Sequence, residues 1–404
     1  MRDAKMRHPE GKVVFLTGAT GHVGRNLIPI LLASKDTSLV LLIRGDSDAE
    51  VEGRLNELLL SLAGTLDLSQ ARRRVQALRG DITHHRLGLS EARYEALAGS
   101  VTHIIHSAAT VRFRNLLTEA RKINVEGTKN VMALARLAWE RGRLERVAHI
   151  STAYVSGKRR GLIREDDLDC GQGFSNTYEQ TKFEAEVFVR QSCPDLPWVI
   201  FRPSIIVGDS RTGVTTAFNV LYIPLKYLAR GIVRFLPGSP DTPLDVVPVD
   251  FVCRAINKIF FGAAECRSQT FHLCAGPEMA TTVGEVLELA LDFFQKMNPQ
   301  ARLPRLRFIS KNWLKLLRFL APFLGEPRQR ALRKLRWFAP HLGLVRFFDI
   351  SHTQNMMGEA AIGVPPFAAY YRPLLEYCLR TNWGEEARES ARGPRLPHLA
   401  PQAN

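Results

Sequence analysis

The feature that most constrains this chain is a short apolar run, Val13-Val-Phe-Leu16, that passes directly into Thr17-Gly-Ala-Thr-Gly-His-Val-Gly24 and then into a helix-period pattern through Leu27, Ile28, Ile30 and Leu31. A chain that turns from strand to helix this quickly needs glycine in three roles. One glycine makes the sharp turn, one lets the backbone approach a phosphate, and one lets the helix pack on the strand. Gly18, Gly21 and Gly24 are spaced for those roles. The amides and dipole of the helix N-terminus then favour an anion such as a dinucleotide pyrophosphate. Thr17, Thr20, His22 and Val23 complete the candidate loop, with His22 read as a solvent-facing residue that could also touch the ligand.

The pattern repeats. Ser38–Ile43, Arg74–Leu78, Val101–His106, Arg146–Ile150 and Trp198–Phe201 read as strands, with helical stretches between them, one over Glu50–Leu62. Such alternation predicts an α/β fold, a doubly wound, Rossmann-like parallel sheet with helices on both faces and ligands at the carboxyl ends of its strands. With 404 residues, 45 % of them apolar, the chain exceeds one simple unit. We expect a flexible N-terminus over 1–11 and a dinucleotide-binding domain over 12–208, to which 247–276 returns. A smaller, mostly helical substrate-binding or lid element would cover 209–246 and 277–384, and a disordered tail 385–404. Residues 209–245, with Pro224, Pro237, Pro240 and Pro243, read as irregular. Helices are expected over Val249–Phe261 and over Thr282–Met297, the latter opened by the capping-box pair Thr282 and Glu285, with a strand at Thr270–Cys274.

Net charge is +15, and eleven lysines and arginines between 301 and 340 face the single acid Glu326. Apolar residues alternate with these charges, as in Leu314–Leu320. A basic amphipathic stretch of this kind suits a lid, an anionic membrane surface, an acidic carrier protein or the phosphates of coenzyme A. Nucleic acid is not expected, because no base-reading module accompanies the charge. Six scattered cysteines without a Cys-x-x-Cys pair point to a reducing compartment and no metal site. The N-terminus lacks an apolar stretch and no apolar run approaches the roughly 18 residues of a spanning helix. The expectation is a cytoplasmic protein, with peripheral membrane contact through 301–340 as a further reading.

The second strand ends Ile43-Arg44-Gly45-Asp46. An acid at the strand end suits an unphosphorylated ribose and an arginine suits a 2′-phosphate, so Arg44 selects NADP. Asp81 and Ile82 follow the third strand, where a carboxylate can meet the adenine. Ser107, Ala108 and Ala109 follow the fourth, where small side chains let backbone lie against a cofactor.

Tyr178 and Lys182 stand at i and i+4, on one face of a helix. The ammonium and an oxidised nicotinamide would both favour tyrosinate, lowering the phenol's pKa toward the working range, so that Tyr178 could protonate a carbonyl oxygen. Thr152, in Ser151-Thr152 at the end of the fifth strand, would donate a second hydrogen bond to the developing oxyanion. Asn124 could anchor a relay water to the lysine.

Together these stretches resemble an extended short-chain dehydrogenase/reductase, and within it the fatty acyl-CoA reductase and thioester reductase branch. The likeness runs from about residue 12 to 262, through Leu16–Gly21, Gly80-Asp-Ile-Thr83 with Leu87-Gly-Leu-Ser90, His103–Phe113, Ile150–Val155, Tyr178–Lys182, Arg202-Pro-Ser-Ile-Ile206 and Val247-Pro-Val-Asp250. Beyond residue 300 the likeness is loose, around Phe347–Ser351, and His22 stands where the branch commonly has an aromatic residue. The resemblance implies a catalytic trio of Thr152, Tyr178 and Lys182, with Ser151 supporting the strand end, and Pro203 and Ile206 beside the NADP(H). It further implies transfer of hydride from NADPH to an acyl thioester, on coenzyme A or an acyl carrier protein, giving aldehyde, or alcohol where a second hydride follows. Two other readings use the same fold: a sugar-nucleotide or steroid-type dehydrogenase or epimerase, and a dinucleotide sensor without turnover.

Overall fold

The apolar runs are strands because parallel sheets covered on both faces bury both sides of each strand. In the computed structural model, β1 (Lys12–Thr17), β2 (Thr37–Ile43), β3 (Val75–Arg79), β4 (His103–His106), β5 (Arg146–Ile150), β6 (Trp198–Pro203) and β7 (Gln269–Leu273) form one sheet. The structure describes residues 11–385 apart from 114, 219, 233–234, 263–267, 301–302, 304–305, 310–342 and 359–362. The expectations for 1–10, for 386–404 and for most of the basic segment 301–340 lie outside these residues.

Strand order is β7-β6-β5-β4-β1-β2-β3, and every pair is parallel. The chain steps outward from β1 to β3, then crosses to the other side of β1 with β4. The reversal opens a crevice at the carboxyl ends of β1 and β4. Helices α1 (His22–Leu32), α2 (Gly127–Glu140), α3 (Thr177–Ser192) and α4 (Val249–Phe260) cover the sheet. Leu27, Ile28 and Leu31 of α1 pack with Val252, Ile256 and Ile259 of α4 on one face, while Val131, Leu134 and Ala135 of α2 pack with Val189 of α3 on the other.

Register matters for the site. Thr17 pairs with His106 across β1 and β4, and His106 with His149 across β4 and β5. Parallel partners share a face, so three polar side chains line up beneath the crevice.

A separate apolar cluster joins Tyr222, Leu225 and Leu228 to α5 (Val283–Met297) and α6 (Phe367–Arg380), through Val286, Phe293, Tyr370 and Leu374. The region 209–245 is not irregular throughout: Tyr222–Ala229 is a helix and Phe235–Pro237 a strand paired with Arg307–Ile309. Pro224 does not break that helix because it sits in the first turn, where its missing N–H would have no partner. Arg346–Phe348 pairs with Gly161–Ile163, fastening the chain beyond the basic segment to the loop after β5.

Candidate active site

The glycine loop lies against the end of β4. Gly18 has φ +74, and a Cβ there would fall 2.7 Å from Ala108 N and from the Ser107 carbonyl carbon. A Cβ on Gly24 would fall 2.2 Å from Gly18 O, so the loop closes only without side chains at both positions. Gly21 is the exposed N-cap of α1, whose first turn carries neither a side-chain cap nor an acid. Thr17 is buried; its hydroxyl meets His106 Nδ1 at 2.8 Å and accepts the Ala108 N–H at 3.2 Å. Thr20 and Ala109 are exposed beside the crevice, and Val23, Ser107 and Ala108 are half-buried. Open amides, a small-residue wall and an uncapped helix fit a dinucleotide.

Some of these residues sit differently from the sequence reading. His22 does not face solvent: its Nε2 meets Val207 O at 3.0 Å and its Nδ1 meets Thr216 Oγ1 at 3.2 Å, and burial lowers its pKa. It ties the glycine loop to the chain leaving the sheet. Ile82 turns its side chain inward onto Gly127, and its carbonyl accepts from Asn130 at 2.7 Å. The Asp81 carboxylate accepts the Thr83 N–H at 2.8 Å. Arg44 is exposed at the end of β2, its carbonyl held by Arg54 at 2.6 Å. Ile206 lies half-buried in a short strand, Ile205–Val207.

Helix α3 starts with a reciprocal cap. Asn176 Oδ1 accepts the Glu179 N–H at 2.9 Å, and the Glu179 carboxylate accepts the Ser175 N–H at 2.8 Å. Tyr178 is thereby fixed in the first turn, its ring 5.9 Å from that of Phe113. The Thr152 hydroxyl lies beside its phenol, close enough to act on its pKa. Thr152 is buried just beyond β5, and its hydroxyl lies 3.4 Å from Pro203 O.

Lys182 departs from expectation. Its ammonium donates to Ile150 O at 2.7 Å and lies 3.3 Å from His149 Nε2. Burial lowers its pKa to about 7, against the raising effect of Glu186. The Tyr178 phenol is not lowered: burial pushes it up to about 12, with the Thr152 hydrogen bond acting in the opposite direction. Asn124 sits in a π-helical turn, Lys122–Glu126, a local form frequent at functional sites. Its side chain is committed to Thr110 (N–H to Oδ1, 2.8 Å) and to Thr181 Oγ1 at 2.9 Å, and so braces α3.

Ser151 turns away from this cluster. Its hydroxyl donates to Glu186 Oε2 at 2.7 Å, and Glu186 is paired at 2.6 Å with the fully buried Arg202. Burial pushes the Glu186 carboxyl up, but Arg202, Arg190 and Ser151 outweigh it and hold it below the usual range. His106, His149, Thr181 and Glu186 were not singled out from the sequence. The signal for the histidines was present: polar residues near the ends of otherwise apolar inner strands.

The profile of the NAD-binding family described as male sterility protein matches residues 16–256, more than half of the chain. The chain belongs to the male sterility protein family. Its relatives bear out the resemblance to the acyl-CoA reductase and thioester reductase branch. Fatty acyl-CoA reductase wat of Drosophila melanogaster is 32% identical over 278 residues, 61% of this chain and 53% of that protein. Fatty acyl-CoA reductase 1 of Homo sapiens is 31% identical over 279 residues, 60% of this chain and 53% of that protein. The chain thus spans about half the length of the acyl-CoA reductases it matches. Among solved structures, the terminal R domain from the myxalamid PKS-NRPS biosynthetic pathway superposes with TM-score 0.78 at 27% identity, covering 95% of this chain and 96% of that one. Family members are nicotinamide-dinucleotide binders of the extended short-chain dehydrogenase/reductase fold. Among the described residues, no helix is long and apolar enough to cross a membrane.

Proposed function

We propose that this protein reduces an acyl thioester to an aldehyde, and onward to an alcohol, with NADPH. The observation that carries the reading is the placing of the Thr152 hydroxyl, just beyond β5, beside the Tyr178 phenol in the first turn of α3, at the same end of the sheet as the glycine loop. When bound, the reduced dinucleotide supplies the hydride. Gly18, Gly21 and the first turn of α1 hold the pyrophosphate, and exposed Arg44 receives the 2′-phosphate. Thr152 and Tyr178, neighbours at the end of the sheet, would hold the carbonyl oxygen and then the hemithioacetal oxyanion between their hydroxyls. Tyr178 gives its proton to that oxygen as the hydride arrives; collapse of the hemithioacetal then breaks the carbon–sulfur bond, releasing the aldehyde and a thiol that carries the hydroxyl proton away, and Tyr178 protonates the oxygen again if the aldehyde is reduced.

Similarity to fatty acyl-CoA reductases and to the terminal R domain of a PKS-NRPS pathway supports a thioester on coenzyme A or on a carrier protein. The basic segment 301–340 would attract the phosphates of either donor, or an anionic membrane, by charge. An epimerase from Bacillus cereus that superposes at TM-score 0.60 is 17% identical and shares the fold alone.

The test is NADPH consumption by the purified protein against acyl-CoA esters of several chain lengths and the same acyl groups on a carrier protein, with products identified by mass. Aldehyde or alcohol formed in proportion to NADPH consumed supports the reading. No consumption with any thioester overturns it.

A further inference from the structure

Below the crevice, the polar row set by strand register contains one histidine whose protons are already fixed. The Thr128 hydroxyl donates to Asn124 O at 2.7 Å, so at His106 Nε2, 3.0 Å away, it can only accept. His106 is therefore protonated on Nε2. Its Nδ1 accepts from the Thr17 hydroxyl, which in turn accepts the Ala108 N–H. Both ring nitrogens of His106 are used, and neither is offered to Lys182.

His149 is different. Its ring is fully buried and lies 5.5 Å from the His106 ring. Nε2 is 3.3 Å from Lys182 Nζ, while Nδ1 is buried with no hydrogen-bond partner among the described residues. With Lys182 charged, Nε2 is the bare nitrogen, which puts the proton on Nδ1, where it finds no acceptor among the described residues. A buried donor without a partner costs free energy, so the arrangement gives up one hydrogen bond and keeps a lone pair aimed at Lys182.

We propose that His149 is a positioning residue for the reduction: its Nε2 lone pair accepts an N–H of the Lys182 ammonium, holds the amine beside the Ile150 carbonyl, and keeps it charged one helical turn from Tyr178. The inference rests on the thioester-reductase reading for its catalytic consequence, though the pairing itself does not.

The charged and titratable groups around this pair are few. Glu186 faces Lys182 from its own helix, with Tyr178 one turn earlier, His106 faces both Lys182 and His149 from β4, and Arg202 and Arg190 pair with Glu186. Glu186 favours the ammonium, but it is already bonded to Arg202, Arg190 and Ser151. Burial opposes the ammonium and brings the lysine to about 7, so a single accepted hydrogen bond decides its charge near neutral pH.

Two measurements on the full chain test this. In wild type, His149→Gln and His149→Phe, kcat/KM for thioester reduction is followed against pH, with NADPH affinity and melting temperature measured alongside. The lysine must be charged, so activity falls as pH rises through its pKa. His149→Phe should move that alkaline limb about one pH unit lower, giving about a tenfold loss near pH 8 and only about a twofold loss near pH 6. His149→Gln, whose amide oxygen can accept, should restore much of the limb. An unmoved alkaline limb in a folded His149→Phe that binds NADPH normally overturns the proposal.

Nitrogen-15 spectra of the histidine-labelled, ligand-free protein give an answer without turnover. They should show a neutral His149 protonated on Nδ1, with an Nε2 resonance that shifts as Lys182 titrates. An Nε2–H tautomer, or an Nε2 resonance indifferent to pH over that range, overturns the pairing even if both variants fail to fold. If the spectra show the pairing and wild type consumes no NADPH with any thioester, the reductase reading falls and the histidine–lysine contact stands.

Discussion

Ser151 and Thr152 are neighbours with similar hydroxyls and opposite duties, and the difference lies in which way the chain leaves β5. Thr152 lies beside the Tyr178 phenol, and the Ser151 hydroxyl donates to the buried Glu186 carboxylate. Thr152→Ala should cut kcat by about 10²–10³, the usual effect of removing one oxyanion donor, with the melting temperature little changed. Ser151→Ala should leave kcat within a few-fold. It removes a hydrogen bond to a charged acceptor and should cost about 1.5–3 kcal/mol in denaturant unfolding. A Ser151→Ala protein of normal stability and no activity would reverse the assignment. At this scale Tyr178, Lys182 and Thr152 were legible, because their spacing reflects one helix and one strand end. The direction of the Lys182 ammonium was not. It depends on His149, brought there by a pairing between strands more than forty residues apart in sequence.

Elements are held to the site by a few backbone contacts that tolerate little change. Gly24→Ala would place a Cβ 2.2 Å from Gly18 O, so the loop must open or α1 must shift. Titration of NADPH should then show no saturable binding, whereas Gly53→Ala, at a glycine with open space around it, should bind as wild type does. Arg202 supports the ends of β5 and β6 through Glu186 and accepts no simple replacement. Arg202→Met takes the closest cation from a buried carboxylate, leaving it Arg190 and Ser151, and should cost about 3 kcal/mol by chemical denaturation. The glycine loop and the strand–helix alternation were legible because both are local patterns. The helix Tyr222–Ala229 was hidden by Pro224, whose place in a first turn cannot be told from a break before the helix start is known. The partners of His22 were hidden because Val207 and Thr216 are distant in sequence.

Across the whole molecule, the sheet keeps several histidines neutral in its interior. Burial lowers His103 to about 4 and His106 and His272 to about 3, with nearby cations adding to the effect. In the unfolded chain these groups take protons near pH 6.5, so the stability they contribute is complete above that value and is lost as pH falls toward 4. Each should cost about 2 kcal/mol by about pH 5. The melting temperature should therefore drop steeply between about pH 6.5 and 5, and a flat profile over that window would contradict the burial of these rings.

The account's central claim is that the Tyr178 phenol delivers the proton to the substrate oxygen. NADPH oxidation with a reducible acyl thioester, measured side by side for wild type and Tyr178→Phe, tests it most directly. The variant should lose about 10²–10⁴ in kcat while binding NADPH with unchanged affinity. Turnover at the wild-type rate without that hydroxyl would contradict it.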